Sequence, residues 1–195
     1  MSAGIGHNRG PALGRNGWAV HCWTRARAEL FPTLPLEVVR ARVRRAKEIG
    51  LDYRTYAGIR ATTGHDLVAF LYSSNTLRML RDGEAEAGRV AKLAAAQGMS
   101  HHLALAPRLD ADRARAMLSA QGLSPERIAE MPLLGMSPSR QRALLDALRV
   151  RTDLTRVPAD RILIIAETEL EHEWAATGRM AGTLAAERFF AQAAG

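Results

Sequence analysis

The chain has 195 residues with 47% hydrophobic and 24% charged side chains, enough for one compact domain with a small appendage and too apolar for wholesale disorder. Its formal charge is +7 with 25 Arg and two Lys (Lys47 and Lys92), and its one cysteine, Cys22, excludes an internal disulfide framework and a multi-Cys zinc site. The longest apolar runs, Leu67 to Tyr72 and Ile162 to Ala166, are far shorter than the ~20 residues a membrane span needs.

In chain order, residues 1–17 are rich in Gly and Asn without apolar period and read as a flexible tail. They lack the apolar core of a secretory signal, so a cytoplasmic protein is expected. Trp18 to Leu30 reads as a helix closed by Phe31-Pro32-Thr33-Leu34-Pro35. Leu36, Val39, Val43, Ala46 and Gly50 then form one helical stripe, with Gly50 in the C′ role and Asp52 capping a helix to about Thr62.

Leu67-Val68-Ala69-Phe70-Leu71-Tyr72 reads as a buried strand, His102 to Ala106 as a second and Arg161 to Ala166 as a third. Helices are expected over Thr76 to Leu80, Ala85 to Gln97, Asp110 to Gln121, from Ser124-Pro125-Glu126, from Ser137-Pro138 to Val150, over Glu167 to Thr177 and over Leu184 to Ala193. These elements predict a predominantly helical α/β fold with a parallel sheet of about three strands, the alternative being an all-α fold. The expected organisation is a tail over 1–17, a basic helical region over 18–64 and a helix-rich α/β body over 65–195.

Charge is distributed unevenly along this order. Residues 1–60 carry eleven Lys/Arg against four Asp/Glu, residues 61–150 eleven against nine, and residues 151–195 five against seven. A basic segment joined to a near-neutral body suits contact with a polyanion, although a general bias toward Arg raises the charge without any function.

Within the basic segment, residues 45–60 read RAKEIGLDYRTYAGIR. Ala46 supplies the small residue where two helices approach, and Gly50 the positive-φ turn four residues later. Ile49 and Leu51 flank that turn, and Tyr56 and Ile59 are spaced for burial in the second helix. Over about twenty residues this resembles the DNA-binding helix-turn-helix of bacterial regulators, except that Arg45 stands at a usually apolar place, Tyr56 replaces an aliphatic residue, and Gly58 weakens the second helix.

The resemblance implies that the second helix presents Tyr53 and Arg54 to base edges. It also implies that Arg40, Arg44, Lys47 and Arg60 meet the phosphate backbone. The competing structural reading is an ordinary αα-corner with a solvated Arg-rich face.

Three further clusters carry hydroxyl, carboxylate or imidazole side chains. Ser73-Ser74-Asn75 follows a predicted strand and precedes a predicted helix, where an open parallel sheet gathers ligands, but no glycine-rich phosphate motif accompanies it. Its plainer reading is a helix cap. Glu167, Glu169, Glu171 and Glu173 surround His172 in a Glu-x-x-His spacing with no second copy, which reads as a solvated acidic first turn. His101 and His102 alternate across a strand and cannot share a ligand.

No metal, cofactor or catalytic set is therefore expected. The function read from sequence is a nucleic-acid-associated accessory or regulatory protein whose partner is duplex DNA. The alternatives are a protein-interaction or scaffold module, with a protein partner or a second copy, and a small α/β enzyme with a site near Ser73 to Asn75.

Overall fold

A computed structural model describes residues 34–81, 83–132 and 136–191. The predicted tail, the helix over Trp18 to Leu30 and Cys22 lie outside the described residues. The described residues from Arg40 onward belong to one compact unit.

The fold is α/β with a five-stranded, wholly parallel sheet. Its elements in order are α1 (Leu36–Glu48), α2 (Tyr53–Thr63), β1 (Ala69–Ser73), α3 (Ala87–Ala94), β2 (Ser100–Leu105), α4 (Ala111–Ala120), β3 (Arg127–Glu130), α5 (Pro138–Leu148), β4 (Ile162–Ala166), α6 (Glu169–Gly178), β5 (Gly182–Ala185) and α7 (Ala186–Ala191). The strands run β3-β2-β1-β4-β5 across the sheet.

The three predicted strands are present, and two more join them. β3 occupies the segment where Ser124-Pro125 was expected to open a helix, and β5 takes Leu184 and Ala185, where the last helix was expected to begin, so that this helix starts at Ala186. Both are edge strands: β3 pairs only with β2, His102 opposite Arg127, and β5 only with β4, Leu163 opposite Gly182. Half-buried Ile128 and Ala129 are the inward residues of β3, so no apolar run announces it.

The expected helix over Thr76 to Leu80 is instead a series of turns. Ser73 and Thr76 bond each other's backbone N–H groups, Thr76 N to Ser73 Oγ at 3.1 Å and Ser73 N to Thr76 Oγ1 at 3.3 Å, which offers the chain an alternative to helix.

The central strands are apolar throughout because both faces are covered. Phe70 and Tyr72 of β1, Leu103 and Leu105 of β2, and Leu163 and Ile165 of β4 face a core completed by Val90 and Leu93 of α3, Ala114 and Leu118 of α4, and Phe189 of α7. Leu71, Ile162 and Ile164 face the opposite core, with Leu145 and Leu148 of α5 and Trp174 of α6. The chain thus moves outward from β1 with α3 and α4 on one face, crosses back to β4 and on to β5 with α5 and α6 on the other, and ends with α7 on the first. Right-handed crossovers require this reversal.

The α1–α2 turn forms as its residues dictate. Gly50 has φ +72°, and Leu51 N–H donates to Ala46 O at 2.9 Å while Gly50 N–H donates to Lys47 O at 3.1 Å, the Schellman pattern. Asp52 accepts from Thr55 N–H at 2.9 Å as the cap of α2. A Cβ at Gly50 would approach only Lys92 Cε, at 3.9 Å, so substitution there is penalised by backbone conformation rather than crowding. Gly50→Val is expected to cost about 1–3 kcal/mol in chemical denaturation, and an unchanged unfolding midpoint would show that the turn relaxes freely.

Candidate functional site

The topological switch point lies between β1 and β4, where the segment after β1 departs toward α3 and the segment after β4 toward α6. Open α/β sheets bind ligands at this place, beyond the carboxyl ends of the strands. It is also where the chain concentrates buried polarity: Ser73, Ser74, Thr76, Arg89 and Glu171 are five of the eight buried polar residues among the described ones.

Glu171 is the centre of this cluster and has no exposed surface. Its Oε1 accepts from Ser73 Oγ at 2.5 Å and from Asn75 Nδ2 at 3.3 Å. Its Oε2 accepts from the N–H groups of Glu167 at 2.6 Å and Thr168 at 3.2 Å, the latter completing a capping box on α6.

Ser73 and Ser74, whose alternatives in the sequence were a helix cap and a ligand site, turn inward. Ser74 Oγ accepts from Ala106 N–H at 3.1 Å beyond β2, and Thr76 Oγ1 donates to Ile165 O at 3.0 Å at the end of β4. These bonds tie three strand ends together. Of the predicted trio, Asn75 alone retains partial exposure.

The rim is charged. Arg89, 5% exposed, donates to Thr76 O at 2.7 Å, reaches Glu167 at 2.6 Å and lies over the Phe190 ring at 4.8 Å. Arg78 sits at φ +53°, unusual for a side-chain-bearing residue, and spans Glu86 at 3.2 Å and Glu167 at 4.0 Å. At this end Asn75 is half-buried and Arg78, Glu86 and Glu167 are exposed, while Arg89 is buried and held by Thr76 O and Glu167.

The acidic turn around His172 is not uniformly solvated, because Glu171 is buried in this network. His172 Nδ1 lies 2.9 Å from Thr183 Oγ1 on β5. Among the described residues no three His, Cys, Asp or Glu side chains converge as a metal site.

The α1–α2 corner buries Ala46, Ile49, Leu51 and Tyr56 and packs Ile59 against them, the positions that the spacing selects. Arg40, Arg44 and Lys47 are exposed along α1, and Arg54 is exposed in the first turn of α2. Tyr53 is half-buried.

Arg60 turns away from this surface, toward Tyr56 Oη at 3.4 Å and Asp66 at 3.8 Å. Arg45, at the place expected to be apolar, caps chain ends: it donates to Gln97 O at 2.8 Å and Leu67 O at 3.2 Å and pairs with Asp66 at 3.3 Å. Arg188 of α7 braces the start of α2, donating to Thr55 Oγ1 at 2.8 Å and lying 3.7 Å from Asp52.

His101 and His102 point to opposite faces of β2, as alternation requires, and both are buried. His101 lies 6.1 Å from the Phe70 ring and 6.0 Å from the Tyr72 ring, and burial, aided by His102, pushes its pKa down to about 4. Burial lowers that of His102 as well, opposed by the Leu148 carbonyl and Glu126. Among the described residues no helix is long and apolar enough to cross a membrane. Comparison of the chain with known protein families, with curated proteins and with solved structures finds no match.

Proposed function

We propose that the protein associates with nucleic acid through the outer face of the α1–α2 corner. The observation that carries this reading is the sorting of basic side chains there: Arg45 and Arg60 are turned inward onto carbonyls and Asp66, while Arg40, Arg44, Lys47 and Arg54 face solvent. Arginines along one helix face neutralise phosphates and release counterions, so binding is salt-dependent.

Retention on duplex DNA across a salt series tests the proposal. Replacing Arg40, Arg44 and Lys47 by Ala is expected to weaken binding uniformly across sequences and to flatten the log K against log salt slope by about 3. Arg54→Ala is expected to reduce sequence-specific binding by about 1–3 kcal/mol while leaving the melt unchanged. Wild-type protein that does not bind duplex DNA at low salt overturns the proposal, and salt-insensitive self-association in its place favours the scaffold reading.

A second reading, a small-molecule or enzymatic site at the switch point, is favoured by the concentration of buried polar groups there. A thermal-shift series with nucleotides distinguishes the two. Stabilisation lost in Asn75→Ala, with DNA retention unchanged, supports the switch-point site, whereas equal stabilisation of both proteins excludes Asn75 from it.

A further inference from the structure

A separate cleft opens at the amino ends of the strands, across the sheet from the switch point. It has a volume of about 450 Å³ and is walled by Ser100 and His101 at the start of β2, Ser124 and Glu126 ahead of β3, and Arg151 beyond α5, a size suited to one small molecule.

Arg151 is held by a short hairpin. Its N–H donates to Thr155 O at 2.8 Å, Val157 N–H donates to Arg149 O at 2.9 Å, and Asp153 binds the Thr155 hydroxyl at 2.6 Å. The turn places Leu154 at φ +65° with its side chain largely in solvent.

The cleft pairs opposite charges and leaves part of each unused. Arg151 Nε meets Glu126 Oε1 at 3.1 Å and Asp153 Oδ1 at 4.0 Å. Among the described residues neither the Arg151 guanidinium nor the Glu126 carboxylate makes a side-chain hydrogen bond beyond this pairing. The imidazole on this side of β2 is that of His102, whose Nε2 lies 3.1 Å from Ser100 Oγ and whose pKa Glu126 raises and Arg151 lowers. A guanidinium edge beside a carboxylate oxygen, with the Ser124 hydroxyl at the wall, is complementary to an anion and a cation carried a few atoms apart on one ligand.

We propose that this cleft binds a small zwitterion of the α-amino-acid type, with its carboxylate on Arg151 and its ammonium on Glu126. The site is independent of both surfaces described above. Its test is titration of the full chain with each common free L-α-amino acid, observed through the imidazole NMR signals of His102, the ring that the Glu126–Arg151 pair reaches.

At least one amino acid is expected to shift those signals saturably. Arg151→Gln and Glu126→Gln are each expected to weaken that binding about tenfold or more. The N-acetyl derivative of the same amino acid, which has no ammonium group, is expected to lose affinity by a similar factor on the unmodified protein. The proposal is overturned if no amino acid moves the His102 signals, if the N-acetyl derivative binds as well as the parent, or if both substitutions leave affinity intact. The N-acetyl comparison requires no variant, so it decides the matter even if a substituted protein fails to fold.

Discussion

Glu171→Ala is expected to destabilise the protein by about 3–5 kcal/mol, because it removes one acceptor from four donors at once. The Ser73 hydroxyl, the Asn75 amide and the backbone N–H groups of Glu167 and Thr168 all converge on this carboxylate. Ser73 and Glu171 are closed to solvent, so water cannot replace the lost bonds without opening the strand ends.

Glu171→Gln keeps one carbonyl oxygen and turns the other position into a donor facing donors, and it is expected to cost about 1–3 kcal/mol. Urea denaturation of the three proteins measures both values. A loss below about 1 kcal/mol for the alanine variant, within the range of ordinary surface substitutions, would show that the network contributes no net stability. DNA retention at matched folded fraction is expected to be unaffected, since none of these groups lies on the α1–α2 face.

Mild acid is expected to weaken the fold through His101. The unfolded chain takes up a proton near the ordinary imidazole value of 6.5, whereas the folded protein resists it until about pH 4. Between those limits the unfolded state binds more protons, so stability falls as pH falls, by about 3 kcal/mol for this residue, and levels off below the lower limit.

His102 contributes in the same direction, its pKa lowered by burial and partly restored by the Leu148 carbonyl and Glu126. His101→Phe preserves the aromatic packing against Phe70 and Tyr72 and removes the titration. Denaturant midpoints followed from neutral pH down through this window are expected to decline steeply for the parent and more gently for the variant. Parallel profiles would assign the acid sensitivity to other groups.

Those two sites were the hardest to see in the amino-acid order. β1 and β4 are legible as unbroken apolar runs because helices cover both faces of each, and the Gly50 turn and the Asp52 and Ser137 caps are legible because each is completed within a few residues. β3 and β5 are not, since an edge strand with one partner needs neither an apolar run nor strong alternation. Arg127–Glu130 is a strand only because the free edge of β2 accepts it.

The charged residues divide in the same way. Arg45 and Arg60 have the outward look of their neighbours on basic helices, yet Asp66 and the carbonyls of Leu67 and Gln97 draw them inward. Glu171 reads as one of four exposed acids until residues nearly a hundred positions earlier bring Ser73 and Asn75 to it.

The apolar runs of β1 and β4, the Gly50 turn and the Asp52 and Ser137 caps are written in the local order of residues, whereas the helix starts expected at Ser124, Thr76 and Leu184 are not. The former follow from side-chain period and from bonds that close within a single turn of chain. Only the tertiary structure decided the edge strands and which polar groups are buried. A hydrogen-bonding partner or a free sheet edge contributed by a distant segment outweighs local preference, because an unpaired polar group in the interior costs more than the preference is worth.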